Sequence, residues 1–230
     1  MNELFLSSAY FGFVLSVGAY LLGLWLRQKT GWAICNPLLA AVAVIIPVLL
    51  FFDIEYDTYN NGAKYISYFL TPATVCLALP LYKQLELLKK NLMAVFFAIV
   101  SGVAGSVLSI FFMSFLFQLE HVHYVSLLPK SITTAIAMGV SEEAGGIVTL
   151  TVVSIMITGI FGNVAADLIF RIFRIREPLA RGLALGTAAH AIGTTKALEL
   201  GEVEGAMSSL SIAVAGLLTV IAVPVMAGLM

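Results

Sequence analysis

Long runs without a charged residue constrain the fold of this chain more than any other feature. The clearest run is residues 92–117, which contain no Lys, Arg, His, Asp or Glu. About 20 consecutive apolar residues match the hydrocarbon thickness of a bilayer when they are helical. Only 11% of the chain is charged, against about 25% in a soluble domain. Further uncharged or nearly uncharged runs cover residues 4–26, 30–52, 65–82, 146–170 and 206–230.

These runs predict an all-α, polytopic membrane protein with about six full transmembrane helices. Residues 1–230 leave no room for a separate soluble domain, so we expect a single transmembrane domain. The net charge of −1 says nothing about a nucleic-acid partner, and since no basic patch suggests one, we expect none.

Two polar stretches fit poorly with simple membrane helices. Residues 127–143 read LLPKSITTAIAMGVSEE, and residues 182–205 read GLALGTAAHAIGTTKALELGEVEG. Irregular backbone at membrane depth is tolerated only against protein or around a water-filled cavity. Secondary transporters build their ion and substrate sites from discontinuous segments of this kind. We therefore predict two or three broken or re-entrant segments, the third being residues 65–82, which two prolines interrupt.

The distribution of basic residues predicts the topology. Cytoplasmic loops carry an excess of Lys and Arg, which places the acidic loop at 53–63, the loop at 118–125 and the N-terminus outside. Two segments separate the outer loop at 118–125 from the inner loop at 171–181, where an odd number of crossings is needed. One of them must enter and return, and the polar residues 127–145 are the obvious candidate. The basic loops are residues 27–29, 83–90 and 171–181.

A weak internal sequence similarity points to an inverted repeat. Residues 83–87 read KQLEL and residues 196–200 read KALEL. Each follows a segment rich in small residues and precedes a long uncharged span, and the charge rule starts the two preceding segments on opposite sides of the membrane. Such a pair is what an inverted repeat gives.

The first polar stretch predicts an anion-binding site, which we call the anion seat. Pro129 suits a first helical position, and the hydroxyls of Ser131, Thr133 and Thr134 follow it. The N-terminus of a half-helix offers unpaired N–H groups and a positive dipole end, which suit a carboxylate. Lys130 either adds charge to this seat or reaches for the membrane interface.

The second polar stretch contains His190, the one histidine predicted within the membrane. Ionisable residues there are functional by default, and imidazole titrates near physiological pH, so His190 is a candidate both for substrate binding and for proton coupling. The alternative is a neutral histidine satisfied by a neighbouring hydroxyl or carbonyl. Thr187 and Thr194 are candidate substrate-binding residues beside it.

Other candidates are less constrained. Asn36 precedes Pro37 and marks either a simple helix start or a bend near the site, and Thr71 and Thr74 lie in the third interrupted segment. Glu142, Glu199 and Glu202 are candidates for proton coupling, with solvated connectors as the alternative. Glu199 and Glu202 share a helix face if the helix continues between them.

Catalytic and metal signatures are missing from the sequence. There is no nucleophile elbow, phosphate loop, HExxH or ligand cluster with metal spacing. We therefore expect neither enzyme activity nor a cofactor or metal.

Several blocks of sequence resemble the LrgB/CidB family of bacterial membrane proteins. They are NPLL at 36–39, LTPATVCLALPLYKQ at 70–84, LLPKSITTAIAM at 127–138, ARGLALGTAAHAIGT at 180–194 and GEVEGAMSSL at 201–210. The resemblance implies a bacterial cytoplasmic-membrane protein that works beside a small holin-like partner of the LrgA/CidA type. Family members are described as antiholin-like regulators of murein hydrolase activity and autolysis. Related proteins, including a plastid member, transport small monocarboxylates such as glycolate, glycerate and pyruvate.

The sequence therefore supports two alternative functions. The first is a carrier of a small organic anion of the glycolate, glycerate, pyruvate or lactate class across the lipid bilayer, coupled to protons and working as a homo-oligomer. The second is an antiholin-like regulator without its own transport cycle. The polar interrupted stretches favour the carrier.

Overall fold

The computed structural model describes residues 10–30, 36–76 and 78–230, and all regular secondary structure in these ranges is helical. The predicted all-α class is thus confirmed. Four of the described helices are long and apolar enough to cross a membrane, namely Phe11–Thr30, Leu92–Phe117, Val148–Ile172 and Glu202–Ala227. The helices are α1 Phe11–Thr30, α2 Pro37–Phe51, α3 Tyr56–Ser67, α4 Leu70–Cys76, α5 Ala78–Lys83, α6 Leu85–Lys90, α7 Leu92–Phe117, α8 His121–Leu127, α9 Thr134–Glu143, α10 Val148–Ile172, α11 Pro178–Leu200 and α12 Glu202–Ala227.

The chain divides into two compact units, and the first ends at Cys76. In this unit α1 packs against α2 and α3. The acidic run at 53–63, predicted to be a loop, is mostly helical because α3 begins at Tyr56. The reason is visible in its contacts: Tyr59 lies on the face toward α1 and its hydroxyl is 2.7 Å from Ser16 Oγ. A helix with one face packed in this way forms despite its polar sequence.

The second unit runs from Leu77 to the end of the chain, and its long helices are α7, α10 and α12. We call one end of this unit the Phe117 end, where α7 and α12 end and α10 begins. The opposite end, where α10 ends and α11 begins, is the Arg171 end. Leu200 packs with Phe170 there.

Helices α8 and α9 form a hairpin at residues 121–143. Its first arm starts at the Phe117 end, where the Tyr124 hydroxyl donates to the Met226 carbonyl at 2.9 Å. The turn reaches the middle of α7, where Ser131 Oγ lies 2.9 Å from Ser106 Oγ. The second arm then returns to the Phe117 end.

Thr151 on α10 holds both arms of this hairpin. Its hydroxyl donates to the Ser126 carbonyl in the first arm at 2.8 Å. The same hydroxyl lies 2.7 Å from Ser141 Oγ in the second arm. Ser126 Oγ in turn accepts from the Ile147 N–H at 2.7 Å. All three hydroxyl-bearing residues are buried, so this network fixes the hairpin against α10.

Helix α11 is a second hairpin, at residues 178–200. Its backbone leaves the helical region at Ala189 (φ −127°, ψ 15°) and His190 (φ 42°, ψ −138°). A Cβ on Gly193 would lie 2.5 Å from the Leu185 carbonyl oxygen. A straight helix separates residues eight apart by about 12 Å, so the chain has reversed its direction between them. The break that the polar sequence predicts is therefore present.

Both arms of the 178–200 hairpin pack against the first half of α12. Gly182 and Gly186 in the first arm contact Glu204 and Ser208. The second arm also reaches Ser208, because Thr194 Oγ1 lies 2.8 Å from Ser208 Oγ. This hairpin thus enters from the Arg171 end and returns to it, opposite in direction to the 121–143 hairpin.

Candidate functional site

A cavity of about 590 Å³ lies in the second unit between α7, α10, the turn of the 121–143 hairpin and the first arm of the 178–200 hairpin. Ligand pockets in proteins fall in this size range and carry a few polar groups in an apolar wall. Gly102 and Gly162 let these elements approach, because a Cβ on either would lie 2.5 Å from a side-chain carbon of the 178–200 hairpin. The polar lining residues are Ser101, Ser106, Ser109, Lys130, Ser131, Thr158 and Thr187.

Lys130 is the charged residue of this cavity. Its Nζ donates to Ser131 Oγ at 3.2 Å and to Ser106 Oγ at 3.4 Å. An ammonium has three protons, so one N–H remains. The two serine hydroxyls are also bonded to each other, which uses one of their two protons and leaves the other. Lys130 and the two serines therefore retain one N–H and one O–H donor for a ligand.

The charge of Lys130 is not balanced by the protein. No carboxylate lines the cavity, and none lies within 4.0 Å of its Nζ in the described part of the chain. A buried or half-buried cation without a partner is costly. The arrangement therefore suits an anion.

Thr187 supplies a third polar feature. It is 5% exposed, and its hydroxyl has no hydrogen-bond partner, a state shared in the described chain only with Ser114. Leaving a buried hydroxyl unpaired costs about 1–3 kcal/mol. Its methyl group packs on Gly102, where a Cβ would lie 2.5 Å from Thr187 Cγ2. A ligand or water in the cavity is the natural partner for the hydroxyl.

The predicted anion seat is only partly at this cavity. Lys130 and Ser131 line it, whereas Pro129, Thr133 and Thr134 do not. Thr133 is the N-cap residue of α9 with extended backbone and no side-chain capping bond. Because the chain turns back at this point, the two threonines are carried away from the lysine.

His190 and Thr194 form the turn of the 178–200 hairpin and do not line the cavity. His190 is 3% exposed, and its Nε2 donates to the Ile155 carbonyl on α10 at 3.1 Å. Thr194 Oγ1 donates to the His190 carbonyl at 3.0 Å. This environment corresponds to the alternative of a histidine satisfied by a carbonyl. A positive φ outside glycine is a strained conformation held by its surroundings.

The predicted proton-coupling carboxylates lie away from the cavity. Glu142, Glu199 and Glu202 are all exposed. Glu199 and Glu202 do not share a helix face, because α11 and α12 are separate helices interrupted at Gly201, where the backbone is extended. The buried acid of this region is Glu204, which is 6% exposed.

The remaining predicted residues belong to the first unit. The Asn36 side chain accepts from the Leu38 N–H at 2.8 Å and caps α2. It therefore marks a helix start, the simpler of the two alternatives. The side chains of Thr71 and Thr74 lie outside the described part of the structure.

Comparison with known proteins identifies the family. Residues 16–229 match the family model of the LrgB-like family. The chain belongs to the LrgB-like family. Antiholin-like protein LrgB of Bacillus cereus (strain B4264) is 39% identical over 216 residues, which cover 94% of each chain. Antiholin-like protein LrgB of Bacillus anthracis (strain CDC 684 / NRRL 3495) gives the same values. No solved structure matches the chain.

The resemblance read from the sequence blocks is thus confirmed, but those blocks left out one wall of the cavity in this LrgB-like chain. That wall is helix α7, whose uncharged sequence predicts only a transmembrane span. Its small and hydroxyl residues recur at helical spacing and form one face. This spacing was the available signal. The residues are Ser101, Gly102, Gly105, Ser106 and Ser109.

Proposed function

We propose that this LrgB-like chain carries small monocarboxylates of the glycolate, glycerate, pyruvate or lactate class across the membrane, without a catalytic step. The observation that carries this proposal is Lys130, unbalanced by any carboxylate and bonded to Ser106 and Ser131 in a cavity between broken helices. A carboxylate would receive the remaining N–H and O–H donors, and the Thr187 hydroxyl is a further donor in the same wall. Specificity in such a pocket comes from few, fixed polar groups.

The two oppositely directed hairpins support a carrier over a static scaffold. Carriers with inverted repeats place their site between discontinuous segments that enter from opposite sides. Here α7 is followed by the 121–143 hairpin, and α10, which runs the other way, is followed by the 178–200 hairpin. We propose that these two helix–hairpin pairs are the two halves of an inverted repeat. The orientation of the hairpins supports this repeat better than the five-residue sequence similarity does.

In the proposed topology the Arg171 end faces the cytoplasm of a bacterial cell and the N-terminus lies outside. About six crossings result if the third interrupted segment also crosses.

In a variant without Cys35 and Cys76, Glu120→Cys should react with an impermeant thiol reagent added to intact cells. Glu177→Cys should react only after the cells are opened, because it lies at the basic end. Labelling of Glu177→Cys in intact cells would contradict this orientation and both hairpin assignments.

Uptake into proteoliposomes tests the carrier function. Labelled glycolate, pyruvate and lactate are expected to accumulate when a pH gradient is imposed. We also propose proton coupling through His190, because it is an ionisable side chain in a segment that we expect at membrane depth. His190→Gln should then retain exchange of internal for external anion but lose accumulation driven by the gradient. Unchanged accumulation in this variant would restrict His190 to holding the hairpin turn.

The second candidate function is an antiholin-like regulator of murein hydrolase activity and autolysis. It is favoured by the names of the curated relatives. A holin-like partner of the LrgA/CidA type belongs to both proposals, as does a homo-oligomer of this chain. Reconstitution with and without that partner separates the two functions. Absence of uptake in both preparations, under every imposed gradient, would favour the regulator.

A further inference from the structure

A second cavity, of about 400 Å³, lies at the Arg171 end of the second unit. It is formed where α10 ends and α11 begins, and it shares no lining residue with the first cavity. We call it the arginine pocket. Its charged lining residues are Asp167, Arg171, Arg174, Arg176 and Arg181.

The arginines of this pocket are not neutralised by the chain. The acid of the pocket, Asp167, is paired with Lys196, whose Nζ lies 2.6 Å from Oδ2. In the described part of the chain none of the four arginines has a carboxylate within 4.0 Å. Four guanidinium groups therefore converge on one cavity with their charge uncompensated.

Local structure holds the arginine pocket in shape. The Arg181 Nε donates to the Ile175 carbonyl at 2.9 Å, and its guanidinium carbon lies 5.6 Å from the centre of the Phe170 ring. These two contacts fix the plane of the group and leave its terminal nitrogens to bind a ligand. The chain leaves α10 through Arg174, which has a φ of 53°, and the Ile175 N–H donates to the Phe170 carbonyl. This tight turn brings Arg171, Arg174 and Arg176 around the helix end.

We propose that the arginine pocket binds a phosphate group, carried either by an anionic phospholipid or by a soluble phosphorylated compound. A guanidinium donates two parallel hydrogen bonds to phosphate oxygens. A monocarboxylate has one negative charge and two oxygens, which a single arginine can satisfy. Several uncompensated arginines instead suit a group with three free oxygens and up to two charges. This site is separate from the proposed transport cavity and does not depend on it.

Binding is tested with two probes on the purified chain in nanodiscs. Pyrophosphate, titrated by calorimetry in phosphatidylcholine discs, represents a soluble compound. Phosphatidic acid, offered in mixed discs and quantified as retained lipid by native mass spectrometry, represents a lipid headgroup whose phosphate has three free oxygens. The test variant is Arg174→Gln with Arg176→Gln, because both side chains are exposed and neither forms an ion pair with another residue in the described part of the chain. The matched control is Lys89→Gln with Lys90→Gln, which removes the same charge from exposed positions on α6.

The arginine variant is expected to bind at least one of the two probes roughly tenfold more weakly or worse, and the lysine variant is expected to bind as the parent does. Dependence of pyrophosphate binding on the arginines assigns a soluble ligand, and dependence of phosphatidic acid retention assigns a lipid. Equal losses in both variants would mean charge attraction without a pocket and would overturn the proposal. So would a lack of arginine-dependent binding with either probe. Circular dichroism confirms the fold, and Arg174→Gln alone replaces the pair if the double variant does not fold.

Discussion

Lys130→Met is expected to lower the apparent affinity for a monocarboxylate by roughly thirtyfold or more. The substitution keeps an unbranched side chain of similar length and removes the cation from the cavity. Removing one partner of a buried charged pair costs about 2–5 kcal/mol, and about 1.4 kcal/mol corresponds to a tenfold change. The fold should be unaffected or more stable, because the unbalanced cation is itself costly to bury. The measurement is uptake by proteoliposomes over a substrate concentration series.

Two further variants control the Lys130 experiment. Lys90→Met deletes the same group from an exposed position on α6 and should leave the affinity unchanged. Lys130→Arg keeps the charge but changes the donor geometry, so it should retain part of the affinity. If Lys130→Met takes up substrate with the parent's affinity, the cavity is not the binding site.

Gly186→Ala is expected to lower the free energy of unfolding by about 1–3 kcal/mol, the usual cost of overpacking. A Cβ at this position would overlap the Ser208 carbonyl oxygen and lie 2.8 Å from Ser208 Cα. These are backbone atoms, so no side-chain rotation relieves the contact, and the first arm of the 178–200 hairpin must move away from α12.

The matched control is Gly139→Ala in α9, where a Cβ would meet no atom within 4 Å. Both glycines lie inside helices, so both substitutions gain about 0.5–1 kcal/mol of helix preference. Gly139→Ala should therefore raise the thermal unfolding midpoint while Gly186→Ala lowers it, measured in one detergent at one scan rate. Equal midpoints would show that the close contact between the hairpin and α12 contributes nothing to stability.

The long helices and the two breaks were predictable because simple physics decides them. An uncharged run such as residues 92–117 has a length set by the bilayer. A polar run such as residues 182–205 cannot continue as a lipid-exposed helix. The position of the second break was not predictable, since His190 has a strained backbone that only its tertiary contacts maintain.

The composition of the cavity was predictable only in part. Lys130 and Ser131 are polar residues in an apolar sequence, so they can be identified from the sequence alone. Ser106 is not conspicuous, because serine at helical spacing among small residues also suits plain helix packing. Thr133 and Thr134 are close to Lys130 in sequence, but the chain turns between them and the lysine, so they do not line the cavity. The path of the backbone decides which sequence neighbours share a cavity. The pattern of residue types does not reveal that path.

The first arm of the 178–200 hairpin differs from the other walls of the cavity in how it is held. Its polar side chains are Arg181, bonded at its base to the Ile175 carbonyl, and Thr187, which has no partner. Against α12 it presents Gly182 and Gly186, which have no side chains, and the apolar Leu183, which is buried in one cluster with Met207. Translation along the helix axis therefore breaks no side-chain hydrogen bond beyond the one at the base. Such an interface favours shear between packed helices over rotation about a hinge, so the wall expected to slide during a transport cycle is this arm.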